Sequence, residues 1–339
     1  SFWKALREEK MKVLITGVAG LLGANFSRYL LSKGHQVVGI DDLSGGYSDS
    51  VDPRVKFYEV DLTNLRSTSE VFAQEKPDYV FHFAAYAAEG LSPFIRNYNY
   101  TNNVLASANV INNCVNHDVK KVIFTSSMAV YGVGRPPFTE DQLPTPEDPY
   151  GIAKYAIEMD LKLAHEMFGL RYNIVRPHNV VGIYQNIWDR YRNVIGIWIR
   201  KAMVGEPLTI FGDGTQTRAF SDIKFYMKPF EQLMTDHDGE IFNIGADKYF
   251  TINEACDLVI DVANELGIRA TKVHLEKRNE VHTAYCDHEK ARRLLSFDDQ
   301  TNLRDTVKEM FTWALKQPNR PTKNMQYEIE KNMYSFWKK

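Results

Sequence analysis

The chain has 339 residues, 44% of them hydrophobic and 25% charged. That is the balance of a globular protein with a sizeable core, which excludes disorder, collagen-like repeats and disulfide-stapled miniproteins. Lys and Arg number 41 against 43 Asp and Glu, for a formal net charge of −2, so no overall field draws the protein to nucleic acid or to an anionic membrane.

Cys114, Cys256 and Cys286 form an odd set without a CxxC pair, which predicts buried thiols in a reducing, cytoplasmic setting. The longest apolar candidate, 194–199, falls far short of the ~18 residues of a membrane span. Residues 1–10, SFWKALREEK, lack the apolar core of a secretory signal. They read as a terminal extension ahead of an original start at Met11.

From Lys12 onward, short apolar runs alternate with longer amphipathic ones. KVLIT (12–16), QVVGID (36–41), VKFYEVD (55–61), YVFHFAA (79–85), KVIFTSS (121–127) and YNIVRP (172–177) are β-branched or aromatic and continuous, as strands covered on both faces should be. Between them, 21–33 carries Leu22, Phe26, Tyr29 and Leu30 on one helical face before Gly34, and 101–116 carries a similar stripe. Strand–helix–strand repetition of this kind predicts an α/β fold, a Rossmann-like doubly wound parallel sheet. Past about residue 180 the pattern loosens into turn-rich stretches and two helical runs, 252–266 and 302–316, which predict a smaller mixed α+β lobe. The expected division is 11–178 for dinucleotide binding and catalysis and 179–317 for substrate, with a strand or helix free to return to the first domain. The tail from Pro318, with its second SFWK at 335–338, reads as a solvated surface helix.

KVLIT runs directly into Gly17, Gly20 and Gly23, which open the first helix. Glycines at such a turn let backbone approach a pyrophosphate, and the helix N-terminus aims free N–H groups at it. Asp41, at the end of the second strand, is placed to accept hydrogen bonds from a ribose and to repel a 2′-phosphate. Asp42 competes for that role. No Arg or Lys follows before Arg54, so NAD is favoured over NADP.

Tyr150 and Lys154 stand at i and i+4 of a helix, so phenol and ammonium project into the same space. A lysine cation there is expected to lower the phenol pKa and make Tyr150 a usable base. Ser127 ends a central strand, in the crevice where such sheets bind ligands, and completes a hydroxyl–phenol–ammonium set.

With these residues in hand, the chain resembles the extended short-chain dehydrogenase/reductase family, and within it the UDP-glucose 4-epimerase-like nucleotide-sugar epimerases. Across 11–300 the landmarks are TGVAGLLG, IDD, VDL, HFAA, NNV, TSSMAVYG, YGIAK, RPHNVVG and FGDGTQTR. The resemblance implies an NAD site formed by Gly17, Gly20, Leu21, Leu22, Gly23, Asp41, Asp42, Asp61, Leu62, Phe83, Ala84, Ala85, Asn102, Thr125, Tyr150, Lys154 and Pro177. Ser127, Tyr150 and Lys154 match the catalytic triad. For substrate, Asn179 and Arg218 match residues that hold a diphosphate, Thr209 and Phe211 lie where uracil is contacted, and Arg278 and Glu280 resemble an Arg–acid pair on the nucleotide. Ala87, Ser127, Met128, Tyr150 and His178 face the sugar, His178 either as a contact or as a packed neighbour. Ala284 falls where the C2 substituent is gated and would leave room for an N-acetyl group, whereas a one-residue shift would place Tyr285 there.

The implied reaction is 4-epimerisation of UDP-glucose and UDP-galactose, or of their N-acetylated forms, by transient oxidation at C4 with NAD. Related dehydratases carry an acidic pair where this chain has Met128 and Ala129, which cannot transfer a proton. UDP-glucuronate stays open, with Arg192 or Arg96 as the carboxylate partner, as does a non-catalytic NAD sensor. A metal site from His274, His282, Cys286 and His288 lacks a regular ligand spacing. The resemblance also implies a homodimer, with 101–116 and 151–168 as its helices.

Overall fold

The computed structural model describes residues 10–338; of the extension expected at 1–10, all but Lys10 lie outside the described residues. The apolar runs form β1 (Lys12–Thr16), β2 (Gln36–Asp41), β3 (Lys56–Glu59), β4 (Tyr79–His82), β5 (Lys121–Thr125) and β6 (Arg171–Pro177). The helices among them are α1 (Leu21–Ser32), α2 (Leu65–Glu75), α3 (Arg96–Tyr100), α4 (Ala106–Asn116) and α5 (Pro149–Phe168). Then follow β7 (Val180–Val181), α6 (Val194–Met203), β8 (Leu208–Phe211), β9 (Thr217–Ala219), β10 (Ser221–Asp222), α7 (Met227–Leu233), β11 (Ile241–Ile244) and β12 (Tyr249–Thr251). The chain ends with α8 (Ile252–Glu265), β13 (Lys272–Leu275), α9 (Glu289–Leu295), α10 (Leu303–Leu315) and a short turn of helix at Ser335–Trp337.

Seven strands form one parallel sheet in the order β11-β6-β5-β4-β1-β2-β3. The order reverses between β1 and β4, and the crevice outside the carboxyl ends of those strands is where doubly wound sheets bind ligands. Side chains alternate across the sheet. Val13 and Ile15 pack with Phe26, Phe81, Phe230 and Phe242 on one face, while Leu14, Val38, Phe72, Val110 and Leu161 fill the other. A separate cluster, including Trp188, Trp198, Val259 and Phe311, binds α6, α8 and α10 into the second lobe. β11, α7 and α9 come from the second half of the sequence yet pack on the first sheet.

Three expectations need correction. The strand read over 79–85 stops at His82, because the Thr16 hydroxyl captures the Ala84 N–H at 3.1 Å and turns the chain toward the sheet's carboxyl edge. The helix read over 101–116 begins at Arg96 and passes through a π turn at Thr101–Leu105. Buried asparagines impose that start: Asn103 accepts from Tyr86 N at 3.1 Å and donates to Asn99, which donates to Pro149 O at 3.0 Å. The tail from Pro318 is not a solvated helix. It is an irregular strap whose Met333 and Trp337 are buried against Tyr86, Leu91, Ile95 and Tyr191, since its aromatics find apolar surface on the loop after β4.

Candidate active site

The carboxyl ends of the central strands open into a cleft of 1090 Å³, and every residue assigned above to catalysis, cofactor or substrate lines it. At one end, Gly17 has φ +72°, and a Cβ there would come within 2.9 Å of Ala84 N. A Cβ on Gly23 would lie 2.3 Å from Gly17 O, so α1 starts tight against the turn. Gly20 caps α1 without a side chain, which leaves the helix N-terminus open to a diphosphate. The Asp41 carboxylate accepts from Ala19 N at 3.0 Å and Leu43 N at 2.9 Å. Those two bonds use half of its roughly four acceptor positions. Asp42 is occupied by its own turn, accepting from Ser44 N and Oγ, and Arg54 is held by Asp52. These residues fit a dinucleotide: a backbone cradle, an open helix end and a carboxylate with capacity to spare.

α5 positions the candidate reacting groups. Asp148 caps it by accepting from Gly151 N at 2.6 Å, and Pro149 starts it with φ already set. One turn on, Tyr150 and Lys154 are nearly buried and face the cleft. Ser127 lines the cleft beside them and accepts from Ala129 N at 3.0 Å. The electrostatics differ from the expectation. Lys154 donates to Thr125 O at 2.9 Å, and burial pulls its own pKa down to about 7. The phenol of Tyr150 is raised, first by burial and then by the Glu89 carboxylate. In the protein alone, Tyr150 therefore holds its proton firmly.

Farther along, Glu280 joins two guanidiniums, accepting from Arg218 at 3.0 Å and Arg278 at 3.4 Å. Ala284 lines the cleft, whereas Tyr285 packs on Tyr249 with ring centroids 5.8 Å apart. His178 reaches the cleft edge but is buried, with Nε2 3.2 Å from His288 Nε2, and His288 Nδ1 lies 2.7 Å from Asp247. Burial and the neighbouring imidazole bring His178 down to about 3, so it is neutral. His274 and His282 lie elsewhere, on Asn253 and Thr215, and Cys286 packs with Tyr131 and Phe138. Among the described residues no group of three or more ligands gathers as a metal site.

Glu89, Glu147 and Asp148 also line the cleft, as do Tyr334, Phe336 and Trp337 of the strap. Asp148-Pro149 is a helix-start signature that the sequence carried. Glu89 and the strap had no signal of their own, since only the fold brings them to Tyr150 and Phe211. Glu89 is exposed at the cleft wall, and its carboxyl is raised by the surrounding protein and by Asp148, with Arg218 and Arg278 opposing.

A doubly wound sheet with a glycine cradle after β1 and a Ser–Tyr–Lys set beyond the end of β5, two strands away, defines a dinucleotide-dependent enzyme of the short-chain dehydrogenase/reductase type. Residues 13–245 match the NAD dependent epimerase/dehydratase family, and the chain belongs to it, with NAD as cofactor. It is 30% identical over 311 residues to a putative UDP-glucose 4-epimerase of Methanocaldococcus jannaschii, covering 91% of this chain and 99% of that protein. The structure of a UDP-glucose 4-epimerase from Thermotoga maritima with UDP-glucose superposes with a TM-score of 0.84 at 28% identity, covering 90% of this chain and 99% of that one. A UDP-N-acetylglucosamine 4-epimerase from Methanobrevibacter ruminantium, in complex with UDP-N-acetylmuramic acid, gives a TM-score of 0.82 at 29% identity, covering 91% and 99%. No helix of the described residues is long and apolar enough to cross a membrane.

Proposed function

We propose that the protein interconverts the C4 epimers of a UDP-hexose or UDP-N-acetylhexosamine. The observation that carries this reading is the convergence, in one cleft, of the Ser127–Tyr150–Lys154 set, the glycine cradle and the Arg218–Glu280–Arg278 group. NAD, held by the glycine cradle and Asp41, would supply the hydride chemistry. Tyr150 exchanges the proton of the sugar 4-hydroxyl, and Ser127 shares that hydrogen bond. Lys154 has spent one donor on Thr125 O and keeps two for the cofactor ribose. Arg218 and Arg278 hold the diphosphate, charge-assisted and directional. With the nucleotide held there, the 4-keto sugar turns over and presents its other face. Met128 and Ala129 offer no proton-transfer group for dehydration or decarboxylation.

Uncharged sugars are favoured over a uronate. Glu89 and Asp148 both act on the Tyr150 phenol, and Glu89 also couples to Glu147, so a C6 carboxylate meets like charge. Arg192 lines the cleft but is paired with Asp189 at 3.2 Å and lies over the Tyr86 ring, and Arg96 is outside the cleft lining. Ala284 on the cleft wall supports room for an N-acetyl group. The reading divides the chain into a dinucleotide domain over 11–178 and a substrate lobe over 179–317.

Incubation with UDP-glucose, UDP-galactose, their N-acetylated forms and UDP-glucuronate, followed by proton NMR of the anomeric signals, tests the proposal. Epimer exchange at C4 without added NAD is the expected result. Absence of exchange on every sugar, with NAD supplied, would sink it.

The protein is further proposed to be a homodimer, because Ile152, Met159, Leu163 and Met167 leave an exposed apolar stripe along α5. Sedimentation of a monomer at micromolar concentration would remove that part. Three buried free cysteines support a reducing, cytoplasmic setting; an oxidised bond in freshly isolated protein would contradict it.

A further inference from the structure

The strap at residues 319–338 carries no family landmark, yet it crosses both sides of the cleft. On the dinucleotide domain, Arg320 lies 3.6 Å over the Tyr47 ring, and the Glu328 carboxylate accepts from Asn97 N and Tyr98 N at 2.7 and 2.9 Å, closing the start of α3. On the substrate lobe, Lys323 N donates to Trp188 O at 2.8 Å, Ser335 N to Glu276 at 3.0 Å, and Arg190 to Phe336 O at 2.8 Å. Asn279 N donates to the Tyr334 hydroxyl at 3.1 Å, one residue from Arg278.

Between these anchors the strap delivers an aromatic stack to the nucleotide end. The Phe336 ring lies 4.4 Å from Phe211 at 34°, and Tyr334 stacks on Phe336 at 5.2 Å and 6°. The Arg278 guanidinium lies 4.4 Å over Phe211. Both Arg278 and Phe336 therefore cover Phe211. A planar base held near Thr209 and Phe211 must then meet the strap's rings rather than a bare Phe211.

We propose that the strap completes the substrate site: Phe336 and Tyr334 form the aromatic wall for the base and ribose of a nucleoside diphosphate, with Arg278 supplying charge beside them. The proposal rests on the reading that the substrate is a nucleotide sugar. Base–aromatic stacking tolerates different bases and is strong enough to govern affinity. The strap also ties the two lobes together at the end where the nucleotide stays put while the sugar turns.

The test uses the purified holoenzyme and its Phe336→Ala, Tyr334→Ala and Phe336→Trp variants. UDP binding is measured by calorimetry, and KM and kcat with whichever sugar the incubation test shows to be turned over. Thermal midpoint and NAD content serve as controls. Both rings are only half-buried, so the alanine variants should fold.

The alanine variants should weaken UDP about ten- to a hundredfold, raise KM in parallel and lower kcat far less, with rescue by Phe336→Trp. Unchanged UDP affinity in folded, NAD-loaded alanine variants would overturn the proposal and leave the epimerase reading intact. Tighter binding would also overturn it, making the strap a plug. If the parent enzyme bound none of UDP, GDP, ADP, CDP and dTDP, the nucleotide-sugar reading would fall and the proposal with it.

Discussion

The two ends of the cleft are built differently. At the dinucleotide end, Gly17, Gly20, Gly23 and Asp41 come from two adjacent strands and one turn, and backbone geometry does most of the work. At the substrate end, Glu89, Arg218, Glu280 and Phe336 come from four distant stretches; Arg218 holds Glu280 and the carbonyls of Val281 and His282, and Phe336 packs on Phe211. The first end is rigid, because a single added methyl collides with backbone. The second is more adjustable, because its parts are the ends of rings, guanidiniums and carboxylates on short strands, a loop and a helical turn. A site made this way keeps its cofactor while changing its substrate.

Four substitutions distinguish the two ends, in falling order of effect. Tyr150→Phe sits where the two ends meet. It should lower kcat by about a hundred- to ten-thousandfold while the purified variant keeps its NAD, read by turnover and by nucleotide content after denaturation. Retained turnover would remove Tyr150 from the chemistry.

Gly23→Ala probes the rigid end. Its Cβ would sit 2.3 Å from Gly17 O and 2.6 Å from Val18 Cα. The expected result is a cost of about 1–3 kcal/mol in stability together with loss of NAD from the purified protein. Normal NAD content and thermal midpoint would show that this turn yields as readily as the loops do.

At the adjustable end, Arg218→Met removes a charged donor while keeping much of the side-chain volume. KM for the nucleotide sugar should rise about ten- to a hundredfold, with NAD content unchanged. Loss of NAD instead would mean that the two ends are not separable.

Glu89→Gln has the smallest effect, and its sign depends on pH. The Glu89 carboxyl is raised to about 7, so it is largely neutral below that pH and repels a uronate only above it. The variant should gain several-fold in kcat/KM on UDP-glucuronate near pH 8 and little near pH 6. The same raised value means that the folded protein holds this proton more tightly than the unfolded chain. Because Glu89 is exposed, the contribution to stability is small; it is present at low pH and fades as pH rises above the ordinary carboxylate range. A Gln variant with the same pH dependence of thermal midpoint would show that Glu89 does not titrate there.

Lys154 carries the main electrostatic lesson. Its i, i+4 spacing from Tyr150 puts both groups on one face of α5, and both line the cleft. The sign of the phenol shift was not readable, because it depends on how deeply the pair is buried and on Glu89, which stands far off in sequence. The choice between Ala284 and Tyr285 had the same character. Counting left it open, and packing on Tyr249 takes Tyr285 out of the cleft lining.

What the sequence by itself determined is local: apolar strands, the glycine turn, the acid at the end of β2 and one face of a helix are all set by neighbours a few residues apart. Only the tertiary structure decided the course of the strap, the carboxylates around Tyr150 and the return of β11 to the first sheet. Each of these rests on contacts between residues far apart in the chain. Burial, which sets both their pairing and their charge, is a property of the whole fold.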